Sequence, residues 1–396
     1  MTAPRVLLAP DKFKGSVSAA AVAGHLAVGL RRAAPGVVLD EMPVADGGEG
    51  TVDAALAAGF AAVTMRAAGP LGEPRDTRYA VRGSTAVVEM AAVSGLEMLR
   101  PDDRTARSAT SRGLGEVLLH AIDGGARTLV IGVGGSASTD GGAGMLAALG
   151  VRLTGPSGQL ADGGDALRGL AEVDVSGLDR RLGGVEVVLA SDVDNPLLGS
   201  AGAAAVYGPQ KGADPHAVAD LEEGLCRWVD ALEQAAVPDA RGLADAPGAG
   251  AAGGVGYAAM ALLGARRRPG ADVVLELAGF DERIRGVDLV VTGEGSLDTQ
   301  SLHGKAPVGV ATAAGRARVP VVGVCGRNQL SDADVHAAGL SRVYALTDLE
   351  PDVARCIADP GPLLERLGER IAVDHLGGPA GIHRSTDPAA PQERLA

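Results

Sequence analysis

The chain predicts an α/β protein with parallel strands near both ends and a mixed sheet in the middle. Three observations lead there. Short aliphatic runs alternate with Ala-rich helical stretches, the pattern of strand–helix–strand units that build parallel sheets. Between about Ala67 and Arg285 the grain changes, because "YAVRG" and "STAVVEMAA" face each other across Gly83-Ser84 as a hairpin would. Loops rich in Gly, Asp and Ser recur at the ends of the aliphatic runs.

The elements follow in order. "RVLLAP" reads as a first strand entering the loop "DKFKGS", and "SAAAVAGHLAVGLRRAAP" as a helix with a Ser cap that closes at Pro35-Gly36. "VVLDEMPV" is a second strand; it enters "ADGGEGT" and the helix "VDAALAAG". The middle carries three more glycine loops: "GVGGSASTDGGAGML", "ASDVDNPLLGSAGAAAVYGPQKGA" and "PGAGAAGGVGYAAMALLG". Towards the end, "VDLVVTG" enters a loop "EGSLDTQS", "VPVVGVCG" enters "RNQLSDADVHAAG", and "RVYALTD" is one more strand. The last twenty residues are poor in aliphatics and are expected to be disordered.

Composition narrows the function. A formal net charge of -13 and 2% aromatic residues argue against a nucleic-acid partner, which needs cations and stacking platforms. No apolar run is long enough to span a bilayer, and the N-terminus lacks the pattern of a signal peptide. Cys226, Cys325 and Cys356 are far apart and form no C-x-x-C pair, so neither a disulfide framework nor a zinc site is indicated and the cytoplasm is the expected compartment.

Two glycine motifs can be tested directly. "GVGGSA" fits the dinucleotide pattern G-x-G-x-x-A at Gly132, Gly134 and Ala137, but the acid expected about 20 residues later is missing from "GVRLTGPSG". "HGKAP" fails as a P-loop because Ala306 stands where Ser or Thr is required. The cations are more telling. Lysine occurs only at Lys12, Lys14, Lys211 and Lys305, and every one sits in a Gly-rich loop, while arginine serves everywhere else. A compact ammonium with rotatable donors suits a phosphate that changes position. Asn195 lies in "SDVDNP", and Asp11, Asp46, Glu49, Asp140, Asp192, Asp194, Glu294 and Asp298 fall in the same loops. Carboxylates beside lysines and backbone N–H groups describe a magnesium–phosphate site, with one carboxylate spare to deprotonate an attacking hydroxyl. Any of these acids could equally cap a helix.

Together the segments "APDKFKGSVSA", "PVADGGEGT", "VVEMAAVSGL", "GVGGSASTDGGAGML", "DNPLLGSAGAAAVYGPQKGA", "GAGAAGGVGYA" and "VTGEGSLDTQSLHGKAPVGVA" resemble the class I glycerate kinases of bacteria. The resemblance runs in order from Ala9 to Ala311 and more weakly to about Ile371. It implies ATP-dependent phosphorylation of D-glycerate with Mg2+. It also implies a flavodoxin-like parallel sheet built from both chain ends (residues 1–66 and 286–376) and a second, mixed α/β domain inserted between them (67–285). Lys12 departs from the family, which carries a small residue there, so Lys14 is the better candidate.

On this reading the substrate lies between the domains, which are expected to close on it. Gly134, Gly135 and Ser136 would receive its carboxylate together with a cation, for which an arginine of unspecified position is the usual choice; Asp11, Ser138 and Asp140 complete the expected substrate set. Asp192 would be the general base, Asn195 would orient the substrate, and Lys14 and Lys305 would neutralise the moving phosphoryl group. Gly15, Ser16, Gly47, Gly48, Gly293, Gly295, Ser296 and Lys211 are the expected phosphate or nucleotide contacts, and Glu294, Asp298, Asp46 and Glu49 the expected magnesium ligands. A monomer or homodimer is expected. A nicotinamide-dependent oxidoreductase and a non-catalytic anion-binding module remain as alternatives.

Overall fold

The computed structural model describes residues 3–302 and 304–377. His303 and residues 378–396, which include nearly all of the tail expected to be disordered, lie outside the described residues. The strands are β1 (Arg5–Pro10), β2 (Val38–Glu41), β3 (Ala61–Ala68), β4 (Pro74–Arg82), β5 (Thr85–Glu89), β6 (Thr128–Gly132), β7 (Arg152–Gly155), β8 (Gly158–Gln159), β9 (Glu172–Asp174), β10 (Glu186–Ala190), β11 (Arg266–Arg268), β12 (Leu289–Leu297), β13 (Val321–Asn328) and β14 (Arg342–Ala345).

β2, β1, β12, β13 and β14 form a five-stranded sheet in that spatial order, every pair parallel. With the intervening chain set aside, the order is 2-1-3-4-5, the flavodoxin-like arrangement, and its switch point lies between β1 and β12. Ligands of such sheets bind beyond the carboxyl ends of the strands at that point. The second sheet runs β11-β10-β6-β5-β4-β3; its first four strands are parallel, and β4 pairs antiparallel with both β5 and β3. The hairpin turns at Gly83-Ser84. A small sheet of β7, β8 and β9 sits apart from both.

The central strands of both large sheets are buried on two faces and read accordingly as aliphatic runs. In the first, Val6, Leu8, Val291, Val322 and Val324 face the helices Ala19–Ala33 and Gly361–His375, while Leu7, Ala9 and Val290 face the helix Ala306–Arg316 and parts of two others. Those two, Thr51–Ala57 and Gly270–Leu277, form a layer shared by both sheets. Ala54, Val274 and Leu275 join the core of the first sheet, whereas Val52, Ala55 and Val273 pack with Val87, Val130 and Val188 of the second. The remaining face of the second sheet carries Val88, Leu129, Ile131, Val187 and Leu189 into the largest core, together with the chain's one tryptophan, Trp228. The expected boundary after residue 66 falls inside β3, which starts at Ala61 and belongs wholly to the second sheet.

Local chemistry sets several of these elements as the sequence suggests. Ser18 Oγ accepts from the Ala21 N–H and caps the first helix. One element differs. "EGSL" is not a loop but the end of β12, held on β13 by the pairs Glu294–Cys325, Ser296–Arg327 and Leu297–Asn328. Gly293 is required there because a Cβ would lie 2.0 Å from the Val324 carbonyl oxygen.

The sheets meet through glycine. A Cβ on Gly134 would stand 2.5 Å from Gly48 Cα, and one on Gly270 would stand 1.9 Å from the Asp46 carbonyl oxygen. Backbone on backbone has no side-chain end that can swing away. We therefore expect Gly134→Ala to lose about 1–3 kcal/mol of stability, the usual penalty of overpacking. Gly24→Ala, in a helix with open space around that position, should gain up to about 1 kcal/mol. Urea unfolding of the two variants checks both signs.

Candidate functional site

The carboxyl ends of both sheets converge on the loop Asp46–Gly50, and two cavities open there. The smaller, of about 240 Å³, is walled by Gly47 and Gly48, by Val133–Ser136 beyond β6, and by Ser191–Val193 beyond β10; Tyr207, Gln210 and Lys211 close one side. The larger, of about 440 Å³, lies at the switch point of the five-stranded sheet, between Asp11–Lys14 beyond β1, Glu294–Ser296 on β12, and Lys305. Its far wall is apolar, made by Leu346, Val353, Cys356 and Ile357 beside Arg327. Lys14 and Asp46 line both cavities.

Asp192 follows β10 and faces the smaller cavity. Its Oδ1 accepts from the Gly270 N–H at 2.8 Å, at the start of the shared helix, while Oδ2 is buried with no hydrogen-bond partner among the described residues. Burial pushes its carboxyl up to about 7, and the negative charge of Asp46 adds to the effect. Asp11 is likewise raised to about 7 by burial and by Asp46, although Lys12 opposes the shift. Glu294 is raised by burial; its Oε1 is buried without a partner among the described residues, and Oε2 accepts from Lys305 Nζ at 3.4 Å. Asp46 thus stands at the centre of a cluster of acids, each influencing the next.

The structure brings together many of the residues singled out from the sequence. Asp192, Lys14, Gly47, Gly48, Gly134, Gly135 and Ser136 line the smaller cavity. Asp11, Ser16, Asp46, Glu294, Gly295, Ser296, Asp298 and Lys305 line the larger. Lys211 lines the smaller cavity beside Gly47 and Gly48. Lys14 is exposed at the junction, 3.8 Å from Glu97.

Other expected residues are placed elsewhere. Asp140 lines neither cavity; its buried carboxylate accepts from the Ser111 N–H and Oγ, and from the Gly142 and Gly144 N–H groups, holding two helix starts together. Burial raises its pKa, and those donors pull it down. Asn195 also lies outside both linings, donating to the Ala201 carbonyl at 2.8 Å and accepting from Tyr207 Oη at 2.6 Å; it orients Tyr207 instead of meeting the cavity itself. The Ser138 carbonyl accepts from Lys211, and its Oγ is buried without a partner. Glu49 turns to Lys12 at 3.6 Å, outside both cavities, and Gly293 is enclosed against β13. Gly15 lies on an adjacent surface groove with Ser16 and Ser18. Asp298 spends Oδ1 on the Gln300 and Ser301 N–H groups.

Sequence reading missed Tyr207, Gln210 and the apolar wall. Tyr207 is one of four tyrosines, and Gln210 stands beside one of the four lysines; both could have been noticed on scarcity or adjacency. The wall residues lie in a weakly similar stretch and carry no polar signal. The dinucleotide reading of "GVGGSA" also fails in structure. That fingerprint opens a helix directly after its glycines, whereas here the next helix begins only at Ala143.

Among the described residues no three of His, Cys, Asp and Glu are grouped to hold a metal unaided, and no helix is long and apolar enough to cross a membrane. Magnesium asks for less: one or two carboxylates, with waters and phosphates completing its shell. The unpartnered Glu294 Oε1 and the neighbouring Asp46, both on the larger cavity, fit that donor set.

The profile of the glycerate kinase family matches residues 6–375. A glycerate kinase of Bacillus subtilis (strain 168) is 42% identical over 372 residues, covering 93% of this chain and 97% of that protein. A glycerate 2-kinase of Escherichia coli (strain K12) is 42% identical over 346 residues, covering 86% and 90%. A crystal structure from Salmonella typhimurium LT2, described as "putative glycerate kinase 2", superposes with a TM-score of 0.79 at 39% identity and covers 94% of this chain and 98% of that one.

The placement of Asp140 generates a test. If its carboxylate holds helix starts, Asp140→Ala leaves buried N–H groups unpaired and lowers stability by at least about 2 kcal/mol in urea unfolding. An unchanged midpoint with lost activity would return Asp140 to the ligand set.

Proposed function

The chain belongs to the glycerate kinase family and phosphorylates glycerate; on that premise we propose that ATP with magnesium is the donor, that glycerate occupies the smaller cavity, and that Asp192 is its general base. One observation carries this reading. Two adjoining cavities share Lys14 and Asp46, and Asp192, which has one carboxylate oxygen unpaired among the described residues, lines the smaller. At about 240 Å³ that cavity lies below the usual range of ~300–1,000 Å³ for ligand pockets, a size for a small acid. The larger cavity offers an apolar wall for a base at one end and Lys14 and Lys305 for phosphates at the other. The oxidoreductase and the binding module drop out with the family assignment.

In the proposed reaction the acceptor hydroxyl gives its proton to Asp192 Oδ2 as its oxygen bonds to the γ-phosphorus, and the bond from that phosphorus to the β,γ-bridging oxygen breaks to release ADP. Lys14 and Lys305 neutralise charge on the moving group. Glu294 and Asp46 would hold the magnesium ion, which supplies positive charge to the phosphate oxygens. Backbone N–H groups of Gly134–Ser136 receive the substrate's carboxylate, and Asn195 fixes Tyr207 at the cavity edge. With two helices packed against both sheets, we place the closing motion in rim segments outside the Gly48–Gly134 and Gly270–Asp46 contacts, such as the one that carries Lys14; closure must exclude water from the phosphoryl group. We place the enzyme in the cytoplasm, as a monomer or a homodimer.

Asp192→Asn should lower kcat/KM for glycerate by about 10²–10⁴ while nucleotide affinity is kept; a steady-state assay and a nucleotide-binding titration check this. A base held near 7 in the empty site is protonated, and inactive, at lower pH, so kcat/KM should fall as pH drops below about 7. Because the Escherichia coli relative is named a glycerate 2-kinase, we take the C2 hydroxyl as acceptor. Phosphorus NMR should show 2-phosphoglycerate, and a 3-phosphoglycerate signal would reverse the substrate's orientation.

A further inference from the structure

The smaller cavity is lined by a buried lysine that has no anionic partner among the described residues. Lys211 lies on the short turn Pro209–Lys211 and is only 3% exposed. Its ammonium donates to Ser136 Oγ at 3.1 Å and to the Ser138 carbonyl at 2.6 Å. An ammonium has three donors, so one remains, and the side chain lines the cavity. Among the described residues no carboxylate comes within ion-pair distance of it; the ion pairs made by the other three lysines are with Glu49, Glu97 and Glu294. Among the described residues no arginine lines this cavity.

We propose that Lys211 is the cation that receives the substrate's carboxylate, and that it takes up a proton from solvent as the short hydroxy acid binds. This rests on the glycerate kinase reading and names how that site selects an acid over an uncharged polyol. The balance is simple. The unprotonated amine gains one proton from water or buffer, becomes an ammonium, and pairs with the incoming carboxylate.

Electrostatics supports the geometry. Burial lowers the ammonium of Lys211 to about 7, and Asp140 behind the Ser138 strand of the loop offsets this only in part, having committed its oxygens to four other donors. The other charged groups that face this region are Lys14, Asp46 and Asp192 around the cavity, Asp102, whose backbone lies against Gly212, and Asp214, which caps the following helix. A bound carboxylate supplies the counter-ion that these do not, and restores the charged form.

Calorimetric titration of D-glycerate at pH 8, in two buffers of different ionisation enthalpy, counts the protons. Wild type is expected to take up about one proton per glycerate, and Asp192→Asn should do the same, which separates Lys211 from the base. Affinity for glycerate in Asp192→Asn should fall about tenfold per pH unit above 7. Lys211→Met should lose both the uptake and the pH dependence and bind glycerate at least about 100-fold more weakly, with nucleotide affinity unchanged. This variant loses the two buried hydrogen bonds of Lys211, so its melting temperature is measured beside wild type; if it does not fold, the Asp192→Asn titration still decides. Glycerate binding to Lys211→Met with wild-type affinity, or binding to Asp192→Asn without proton uptake, would overturn the proposal. No glycerate binding by wild type at all would instead overturn the glycerate reading on which it stands.

Discussion

Where Gly48 crosses Gly134, main chain touches main chain, and the same contact recurs around the cleft. Gly47 lies against the Ala190 carbonyl at the end of β10, Gly270 against Asp46, and Gly253 against Ser138 and Thr139. Each glycine lets one loop settle at a distance that any side chain would prevent. The consequence is rigidity in the one place where connecting loops are usually loose. Strand ends from two sheets are held against each other, and the side chains they carry, Asp46, Ser136 and Asp192, are fixed relative to one another without ion pairs between them. The "GVGGSASTDGG" loop is glycine-rich first because it is pressed between "ADGGEG" and "GAGAAGGVG", and only then because a ligand lies beside it.

That packing also explains the electrostatics. Loops pressed together exclude water, and burial then penalises charge of either sign. Asp11 and Asp192 are pushed up to about 7 and Lys211 is drawn down to about 7 for the same reason. A site built this way is short of counter-ions until its ligands arrive. On the proposed reading anionic phosphates would answer the lysines and a divalent ion the acids, which would make the protein electrostatically complementary to the loaded cleft. Preorganised charge of this kind is where most of the stabilisation of a transferring phosphoryl group is expected to come from.

The fold was largely legible in the sequence. Aliphatic runs flanked by Ser caps and glycine turns place β1, β2, β12 and β13, and the Gly83-Ser84 turn gives the hairpin. The shared helix layer was not legible, because Val52 and Ala54, or Val273 and Val274, differ in which sheet they face and not in chemistry. The end of β12 was misread since Glu294 and Ser296 look like loop residues; their pairing with β13 is a tertiary fact. In the site, scarcity carried the signal: four lysines led to the cleft, Lys211 among them to the smaller cavity. Asp140 and Asn195 show the limit of that logic. Residue type and loop membership cannot tell a carboxylate that faces a ligand from one that ties two helix starts, or an amide that meets substrate from one that steadies a tyrosine.

The central claim is spatial, namely that the acid and the nucleotide occupy adjoining cavities that meet at Lys14 and Asp46. A crystal structure with D-glycerate and a non-hydrolysable ATP analogue tests it most directly. The account predicts the acid between Ser136 and Asp192, a hydroxyl within hydrogen-bond reach of Asp192 Oδ2, and the terminal phosphate at Lys14 with the base against Leu346 and Ile357. Glycerate bound among Asp11, Glu294 and Lys305, or a nucleotide base lodged against Tyr207 and Gln210, would contradict it.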